Sequence, residues 1–313
     1  MMKICFVGLG SIGIRHANNM YSLLSVKNNI PIDIHAFRSG EGRKIEGLTP
    51  ILSKETYSID DLDCDYDIIF ITNPTAKHYE TLKSLVKKGR YVFLEKPAFE
   101  SSNYDLGFLN YFDKSRIYVA CPLRYTSVIE NIKNIIQTEK IFSVRVICST
   151  YLPEWRPNVD YRNTYSANKS MGGGVDIDLI HEMDYVTYLF GIPKNIICKK
   201  DKYSNLELDC VDYATYILEY EDKTITIHLD YFGRYPQRKI ELYTENDLIV
   251  GDLIEHNIVY KVTNKLIDFA EHRNDYQIKE LDVFLSIVNG NSKNENNIEH
   301  AINVLRLAEG RDF

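Results

Sequence analysis

Short apolar and β-branched runs alternate with helical patterns along the first 125 residues. In the helical segments apolar side chains recur every three or four positions, as at Tyr79, Leu82 and Leu85. Gly89 is placed to end that helix as its C-cap. Because parallel strands need a crossover that is normally a helix, this alternation predicts a doubly wound parallel sheet. The predicted strands cover residues 3–7, 32–37, 67–72, 91–94 and 117–121.

The pattern changes at Thr126. Val128, Ile129 and Ile132 share one face of a predicted amphipathic helix, and a predicted strand follows over residues 141–150. Later apolar runs are separated by turn sequences such as EYEDKTI and YTENDLI, which is typical of antiparallel neighbours. These runs cover residues 213–220, 225–232, 239–244 and 258–262. The chain is therefore predicted to hold an α/β domain over residues 1–124 and an α+β domain over residues 125–313.

Composition and charge limit the possible partners. The 313 residues are 44% hydrophobic, which is enough to form a core in each of two domains. A formal net charge of -7 gives no broad positive field, so neither nucleic acid nor an anionic membrane is expected as a partner. The six cysteines form no CxxC pair and lie mostly in apolar runs, which favours reduced thiols in a cytoplasmic protein. No apolar run approaches membrane-spanning length.

The sequence VGLGSIG directly follows the first predicted strand and opens a helix. Gly8, Gly10 and Gly13 allow the backbone to approach a pyrophosphate, whose charge then rests on the helix N-terminus. Ser11 and Ile12 supply amide groups at that terminus. A simple tight turn is the alternative, but the context of strand, turn and helix favours a dinucleotide cofactor.

Residues around the second predicted strand bear on the choice between NAD and NADP. The acid that binds the adenosine ribose normally lies at the end of this strand. Asp33 lies at its start, so we interpret Asp33 as unrelated to the cofactor. Arg38, Ser39 and Arg43 suit a 2′-phosphate, because an arginine pairs with phosphate through two hydrogen bonds. NADP is preferred over NAD on this basis, and a solvated charged loop is the alternative.

Polar residues also follow the third, fourth and fifth predicted strands, in TNPTAKH, EKP and CPLRY. The carboxyl ends of parallel strands share one edge of the sheet, where ligands bind. Taken alone, Lys96 is more typical of a solvated loop and His78 of a helix face, but their common edge favours a functional role. The candidate cofactor-binding residues at this edge are Thr72, Asn73, Pro74, His78, Glu95 and Lys96.

The motifs GLGSIG, NPTAKH, EKP and GGGVDIDLIHEMD, in this order over nearly the whole chain, resemble the Gfo/Idh/MocA family of oxidoreductases. The resemblance implies a Rossmann domain followed by a domain with a large, open, mainly antiparallel sheet, through which members often form dimers or tetramers. It also implies NAD(P)-dependent oxidation or reduction at a hydroxyl or keto carbon of a sugar, a cyclitol or a derivative. It leaves the substrate open.

By matching motifs, the resemblance assigns catalytic roles to Lys96, Asp178 and His181. Many members place the aspartate and histidine four residues apart, whereas here the gap is three, and Asp184 ends an HxxD pattern. Both gaps leave the two side chains on one helical face, although which aspartate partners the histidine stays open. A histidine near neutrality suits proton transfer to or from a hydroxyl, and a lysine stabilises alkoxide character. A core histidine is the alternative for His181.

No second cluster rich in histidine or cysteine accompanies HEMD, so no metal site is predicted.

The loop YLPEWRPNVDYRNTYSANK is a candidate substrate segment, because aromatic faces stack on sugars and arginines bind phosphate or carboxylate. A domain-packing or subunit-contact role fits this loop equally well. We expect an anionic sugar, such as a nucleotide-linked one of surface-glycan biosynthesis, which the resemblance suggests. The candidate residues are Arg124, Tyr125, Trp155, Arg156, Tyr161, Arg162, Asp178 and His181.

A second class of function stays open from the sequence. Some proteins that resemble this family bind a nicotinamide cofactor as sensors and carry out no reaction. The presence of Lys96, Asp178 and His181 argues against that interpretation, because a sensor needs neither an acid–base group nor a cation at the substrate oxygen.

Overall fold

The computed structural model describes residues 1–40 and 51–312, which form two compact units. The first unit comprises Met1–Ala120 and Ile278–Ile302, and the second comprises Cys121–Gln277 with the residues from Asn303 onward. No helix within these described residues is both long and apolar enough to cross a membrane. The described cysteines are all free thiols.

The first unit is built on a six-stranded sheet in which all neighbouring strands are parallel. Its strands are β1 Met2–Val7, β2 Ile32–Phe37, β3 Lys54–Thr56, β4 Tyr66–Ile71, β5 Gly89–Leu94 and β6 Ile117–Val119. The order β3-β2-β1-β4-β5-β6 is the doubly wound order of dinucleotide-binding folds, so the predicted α/β fold class is confirmed. The central strands are buried on both faces, which explains their unbroken apolar sequences.

Helices α1 Ser11–Tyr21 and α2 His78–Leu85 are the α-helices that alternate with these strands. α2 buries Leu82 and Leu85, as the spacing predicts. A 3-10 turn over Val86–Lys88 continues α2 and has Gly89 as its C-cap, so the predicted end at Gly89 is confirmed, although the residue is not left-handed. Gly89 is extended, with φ −134°, and begins β5. A Cβ there would lie 2.8 Å from Cγ1 of Ile69, so close packing between β4 and β5 explains the glycine.

Residues 278–302 belong to the first unit, whereas the sequence analysis places them in the second domain. The reason is strand pairing and packing. The amide of Val119 donates to the carbonyl of Asn296 at 2.9 Å, so the returning chain covers the edge of the short strand β6. Phe284 packs edge-on against Phe93, with ring centres 5.2 Å apart. Both contacts join residues far apart in the chain, so no local sequence pattern predicts them.

The second unit is built on an eight-stranded sheet in the order β14-β13-β12-β11-β7-β10-β9-β8. All neighbours are antiparallel except β7 and β10, so the predicted mainly antiparallel sheet is confirmed. Its strands are β7 Ile141–Tyr151, β8 Asn195–Asp201, β9 Tyr213–Glu219, β10 Thr224–Asp230, β11 Phe232–Thr244, β12 Leu248–Asp252, β13 Asn257–Tyr260 and β14 Lys265–Asp268. Strands β3, β8, β12 and β14 are not among the strands predicted from the sequence.

One face of this second sheet is covered and the other carries exposed apolar side chains. Val146, Ile227 and Ile240 occupy paired positions on the covered face. Ile197 and Ile217 are paired on the opposite face and are exposed. The remaining helices are α3 Ser127–Ile135, α4 Val175–Asp178, α5 Ile180–Phe190, α6 Arg273–Val288 and α7 Ile298–Ala308.

Candidate active site

The turn between β1 and α1 is shaped for close approach of a ligand. Gly8 has φ +89°, a left-handed conformation that favours glycine, and a Cβ there would lie 2.8 Å from Cα of Asn73. A Cβ on Gly13 would lie only 2.4 Å from the carbonyl oxygen of Gly8. Around Gly10, by contrast, the position of a Cβ meets open space. The turn therefore needs glycine at two positions and leaves room at the third.

Helix α1 begins after Gly10 with no capping side chain and no acidic residue in its first turn. Its first amide groups, including those of Ser11 and Ile12, carry the partial positive charge of a helix N-terminus. The hydroxyl of Thr72 donates to the carbonyl of Gly8 at 2.5 Å and so holds the turn from the end of β4. The pyrophosphate of a dinucleotide fits this cradle in shape and in charge.

His78 supports the turns that follow β4 and β5. Its Nε2 lies 2.9 Å from the carbonyl oxygen of Asn73, and its Nδ1 lies 3.0 Å from that of Pro97. Burial lowers the pKa of this imidazole. The side-chain amide of Asn73 donates to Thr81, and its buried oxygen meets no hydrogen-bond partner within residues 1–40 and 51–312. An unsatisfied acceptor beside a glycine cradle is consistent with a ligand site.

Glu95, the first residue of the EKP motif, is paired with a histidine that the sequence analysis did not identify. Nε2 of His16 on α1 lies 2.7 Å from one carboxylate oxygen of Glu95, and the amide of Lys96 donates to the other at 3.2 Å. Burial opposes the charge of Glu95, but His16 holds the pKa of this carboxyl below its ordinary value. The pair therefore fixes the EKP turn to α1, and Lys96 emerges directly from that turn.

Arg38 follows β2 and forms an ion pair with Glu55 of β3. The hydroxyl of Tyr57 also donates to Glu55. The Arg38 side chain is 10% exposed, so its guanidinium is partly enclosed by this cluster. A carboxylate beside Arg38 offsets part of the positive charge on which the NADP preference depends.

The other predicted residues near β2 are placed as follows. Asp33 is in register with Lys3, at the end of the sheet away from the glycine turn, which agrees with its interpretation as unrelated to the cofactor. Ser39 is exposed after the end of β2. Arg43 lies outside the described residues, so the prediction for it stays a prediction.

In the second unit the glycine-rich stretch leads into two helices instead of the single predicted helix. α4 ends at Asp178, and Leu179 breaks the helical conformation with φ −93° and ψ 28° before α5 begins. The amide of Val175 donates to the carbonyl of Val211, so α4 is attached to the chain before β9. Because Leu179 interrupts the helix, Asp178 lies at the end of α4 and His181 lies at the start of α5.

Three acidic residues of this segment form ion pairs inside the second unit. The pairs are Asp176 with Lys200 at 2.7 Å, Glu182 with Arg238 at 2.6 Å and Asp184 with Arg124 at 2.6 Å. Each acid is less than a tenth exposed, so each needs a cation to offset its desolvation. These residues therefore hold α4 and α5 in place.

Arg124 has a structural role in place of the predicted contact with substrate. Its side chain is 2% exposed, and its Nε and Nη2 donate to the carboxylate of Asp184 at 2.8 and 2.6 Å. Its guanidinium also lies over the ring of Tyr188, 4.7 Å from the ring centre. A buried, bidentate guanidinium cannot reach a solvent-borne ligand without breaking this pair. Tyr125 ends the same short turn and is partly exposed.

Asp178 and His181 are the two remaining ionisable residues of the segment. Asp178 is 6% exposed, and the hydroxyl of Tyr231 donates to it at 2.6 Å. His181 is the second residue of α5 and is more exposed than its neighbours. The sequence analysis did not identify Tyr231.

The aromatic loop packs beside these residues within the second unit. The indole N–H of Trp155 donates to Thr150, and its ring contacts Tyr231 edge-on with centres 5.3 Å apart. The guanidinium of Arg156 lies 5.3 Å from the ring centre of Tyr165. A small cavity in this loop is lined by Leu152, Trp155, Arg156, Val159, Tyr161, Thr164 and Ser166.

Tyr161 and Arg162 lie at the surface side of the loop. Arg162 is half exposed and pairs with Asp160 and Glu207, so its charge is largely offset by neighbouring acids. The hydroxyl of Tyr161 accepts from the amide of Glu207 at 3.0 Å.

No group of three or more histidine, cysteine, aspartate or glutamate side chains suited to a metal ion occurs in the described part of the chain.

Two family models match the chain. Residues 2–104 match the model described as an oxidoreductase family with an NAD-binding Rossmann fold. Residues 129–250 match the model described as the GFO/IDH/MocA C-terminal domain. The two matches together cover more than half of the chain and confirm the predicted resemblance.

Individual relatives are more distant. The chain is 26% identical over 231 residues to the uncharacterized oxidoreductase YrbE of Bacillus subtilis (strain 168), a match that covers 71% of this chain but only 64% of that relative. The WlbA dehydrogenase from Bordetella pertussis, solved with NADH and UDP-GlcNAcA, has 15% identity and a TM-score of 0.78 over 99% of this chain and 94% of its own. A levoglucosan dehydrogenase, solved with NADH and levoglucosan, has 15% identity and a TM-score of 0.80 over 99% and 95%. These two structures support the fold.

Proposed function

We propose a function from the premise that this chain belongs to the Gfo/Idh/MocA family of oxidoreductases. The protein transfers a hydride between a nicotinamide cofactor and a hydroxyl or keto carbon of a sugar. The observation that carries the catalytic assignment is the distribution of charges in the second unit. Asp176, Glu182 and Asp184 are each paired with a cation inside the second unit, whereas Asp178 accepts a hydrogen bond from the neutral hydroxyl of Tyr231, and His181 begins the next helix. The glycine cradle of the first unit supports the cofactor assignment.

Each of the candidate site residues has a separate role in the proposed reaction. The nicotinamide, when bound, supplies or accepts the hydride. The turn Gly8–Gly13 and the N-terminus of α1 hold the pyrophosphate. Lys96 donates to the substrate oxygen and stabilises its alkoxide character, while a ring nitrogen of His181 takes or returns the hydroxyl proton. Asp178 stabilises the imidazolium that this proton transfer creates.

We expect the substrate to be an anionic sugar, in particular a nucleotide-linked sugar of surface-glycan biosynthesis. Trp155, Arg156 and Tyr161 line one cavity in the loop next to Asp178, so an aromatic surface and a cation occur together there. Aromatic rings stack on sugars and bases, and a guanidinium pairs with phosphate or carboxylate. The similarity to a dehydrogenase solved with UDP-GlcNAcA is consistent with this class.

The choice between NAD and NADP is proposed to depend on Glu55. Replacing Glu55 by Gln removes the negative charge beside Arg38, so we expect the ratio of kcat/KM for NADPH to that for NADH to rise about tenfold. The matched control is Glu80→Gln, which removes an exposed charge from α2. If Glu55→Gln leaves the ratio of kcat/KM for NADPH to that for NADH unchanged, Arg38 does not bind the 2′-phosphate of NADPH.

We also propose a cytoplasmic homodimer or homotetramer that assembles through the exposed face of the second sheet. Ile197, Ile217 and Leu266 are exposed on this face, and a subunit interface would remove such apolar surface from water. Free cysteine thiols agree with a reducing compartment.

The direct test is to incubate the protein with NADPH or NADH and a panel of nucleotide-linked ketosugars, and with the oxidised cofactors and the matching alcohols. Consumption of reductant, or its formation in the reverse direction, is the expected result. A protein that binds the cofactor tightly but consumes none across the panel in either direction would be a sensor, and the enzyme proposal would then be wrong.

A further inference from the structure

We infer that Tyr231 is a positioning residue, which holds and stabilises the ionised carboxylate of Asp178. The inference rests on the proposed function, because it concerns the same proton-transfer group. The hydroxyl of Tyr231 donates to Asp178 at 2.6 Å, a short distance typical of a hydrogen bond to a charged acceptor.

The backbone and the ring of Tyr231 are both fixed. The residue lies between β10 and β11 and is fully buried. Its amide donates to the carbonyl of Asp212 at 3.0 Å, and its carbonyl accepts from the amide of Leu152 at 2.9 Å. The Trp155 ring contacts it edge-on. A phenol held at these points cannot follow a moving carboxylate, so it defines where the carboxylate rests.

The titratable groups near Asp178 include both neutral and charged side chains. Asp178 is faced by Tyr165 from the aromatic loop and by Cys210 from the chain before β9. Burial, with the charge of Asp178, raises the pKa of each of these groups to about 12. Asp176 lies two residues away on α4, and its charge is paired with Lys200. Tyr165 and Tyr231 are thus both neutral hydroxyl groups beside the carboxylate, and the hydroxyl of Tyr231 donates to it at 2.6 Å.

A fixed donor to a carboxylate favours its charged form over its protonated form. The charged form is the one that stabilises an imidazolium on His181 during proton transfer. Loss of this donor should therefore reduce activity toward acid pH, because a buried carboxylate with one hydrogen-bond donor fewer takes up a proton more readily.

The experiment compares wild type with Tyr231→Phe, which removes the hydroxyl and keeps the ring. Two quantities are measured: the pH profile of kcat/KM, and the titration of the ¹³C-labelled carboxyl of Asp178, assigned with Asp178→Asn. We expect the acid limb of the profile and the titration midpoint each to move upward by about one pH unit, as loss of one hydrogen bond to a charged group predicts.

The matched control is Tyr216→Phe. Tyr216 is also buried, and its hydroxyl donates to the carbonyl of Ala308 at 2.7 Å, so this variant loses a buried hydrogen bond away from Asp178. We expect it to reduce stability without moving the acid limb. A general loss of packing would affect both variants alike, whereas the pH shift is specific to Tyr231→Phe.

A second substitution removes any dependence on the folding of Tyr231→Phe. Site-specific 3,5-difluorotyrosine at position 231 is a stronger donor of nearly the same size, so we expect the Asp178 titration to move toward lower pH. An Asp178 titration that is the same in all these proteins would overturn the inference. If wild type is inactive on every substrate, the proposed function fails, but the carboxyl titration still decides the role of Tyr231.

Discussion

Replacing His181 by Asn is expected to lower kcat by about 10²- to 10⁴-fold, because it removes the group that takes the hydroxyl proton. Lys96→Ala should cause a loss of similar size, since the substrate oxygen then lacks a cation. Neither side chain forms the glycine cradle, so the Kd for NADH should stay within about twofold of wild type. Rapid-mixing measurements of hydride transfer and a fluorescence titration with NADH separate these two quantities.

The control for this pair of variants is His272→Asn. His272 is exposed, and it is its backbone amide that donates to Asp275, so removal of the imidazole there should leave kcat unchanged. If His181→Asn or Lys96→Ala turns over like wild type, the catalytic assignment of that residue is refuted. A loss of NADH binding in step with the loss of turnover would instead assign the residue to the cofactor site.

Arg238→Met is expected to reduce the free energy of unfolding by about 3–5 kcal/mol, because it leaves the carboxylate of Glu182 buried without its cation. Glu182 is completely buried, and Arg238 on β11 donates to both of its oxygens, at 2.6 and 3.0 Å. The pair fixes the start of α5, where His181 lies, to the second sheet. Urea denaturation of the wild type and the variant, fitted with a common slope, gives the difference.

The same sheet supplies a matched control. Arg145 of β7 pairs with Glu241 of β11 at 2.9 Å, but the Arg145 side chain is 52% exposed. Arg145→Met should cost less than about 1 kcal/mol, since water screens and replaces an exposed ion pair. Equal losses in Arg145→Met and Arg238→Met would contradict the structural role of the Glu182 pair.

The Arg238→Met variant should also show a stability that depends on pH. In its folded state the buried, unpaired carboxyl of Glu182 holds a proton to higher pH than it does in the unfolded chain. The folded state then binds more protons above the usual range of a glutamate, so the free energy of unfolding should fall as pH rises from about 4 to 7. Glu182→Gln in the Arg238→Met background should abolish this dependence.

Local sequence patterns explain why much of the fold could be predicted. The strands of the first unit are buried on both faces and read as apolar runs, and the glycine turn depends on a few adjacent residues. β3 has only three residues, and such a short strand has no periodicity to detect. The returning segment 278–302 pairs with β6 across about 180 residues of chain, which no local pattern encodes.

Some residues of the candidate site can be predicted from local motifs, and others act only through long-range contacts. Lys96, Asp178 and His181 come from motifs, so sequence identifies them as candidates. His16 and Tyr231 act through contacts with residues 79 and 53 positions away, and either one alone looks like an ordinary core residue. The ion pairs of the acidic segment are also long-range, so the sequence alone does not show which of its acids are paired with a cation.

The central claim is that Lys96 and His181 serve one hydride transfer to or from a nicotinamide. It is tested most directly by placing deuterium on the reacting carbon of a sugar alcohol that the protein accepts, and following the label by mass spectrometry. The account predicts that wild type delivers the deuterium to C4 of the nicotinamide, and that Lys96→Ala and His181→Asn, saturated with cofactor, deliver almost none. Deuterium that never reaches the nicotinamide in wild type, or that reaches it in both variants as it does in wild type, would contradict the claim.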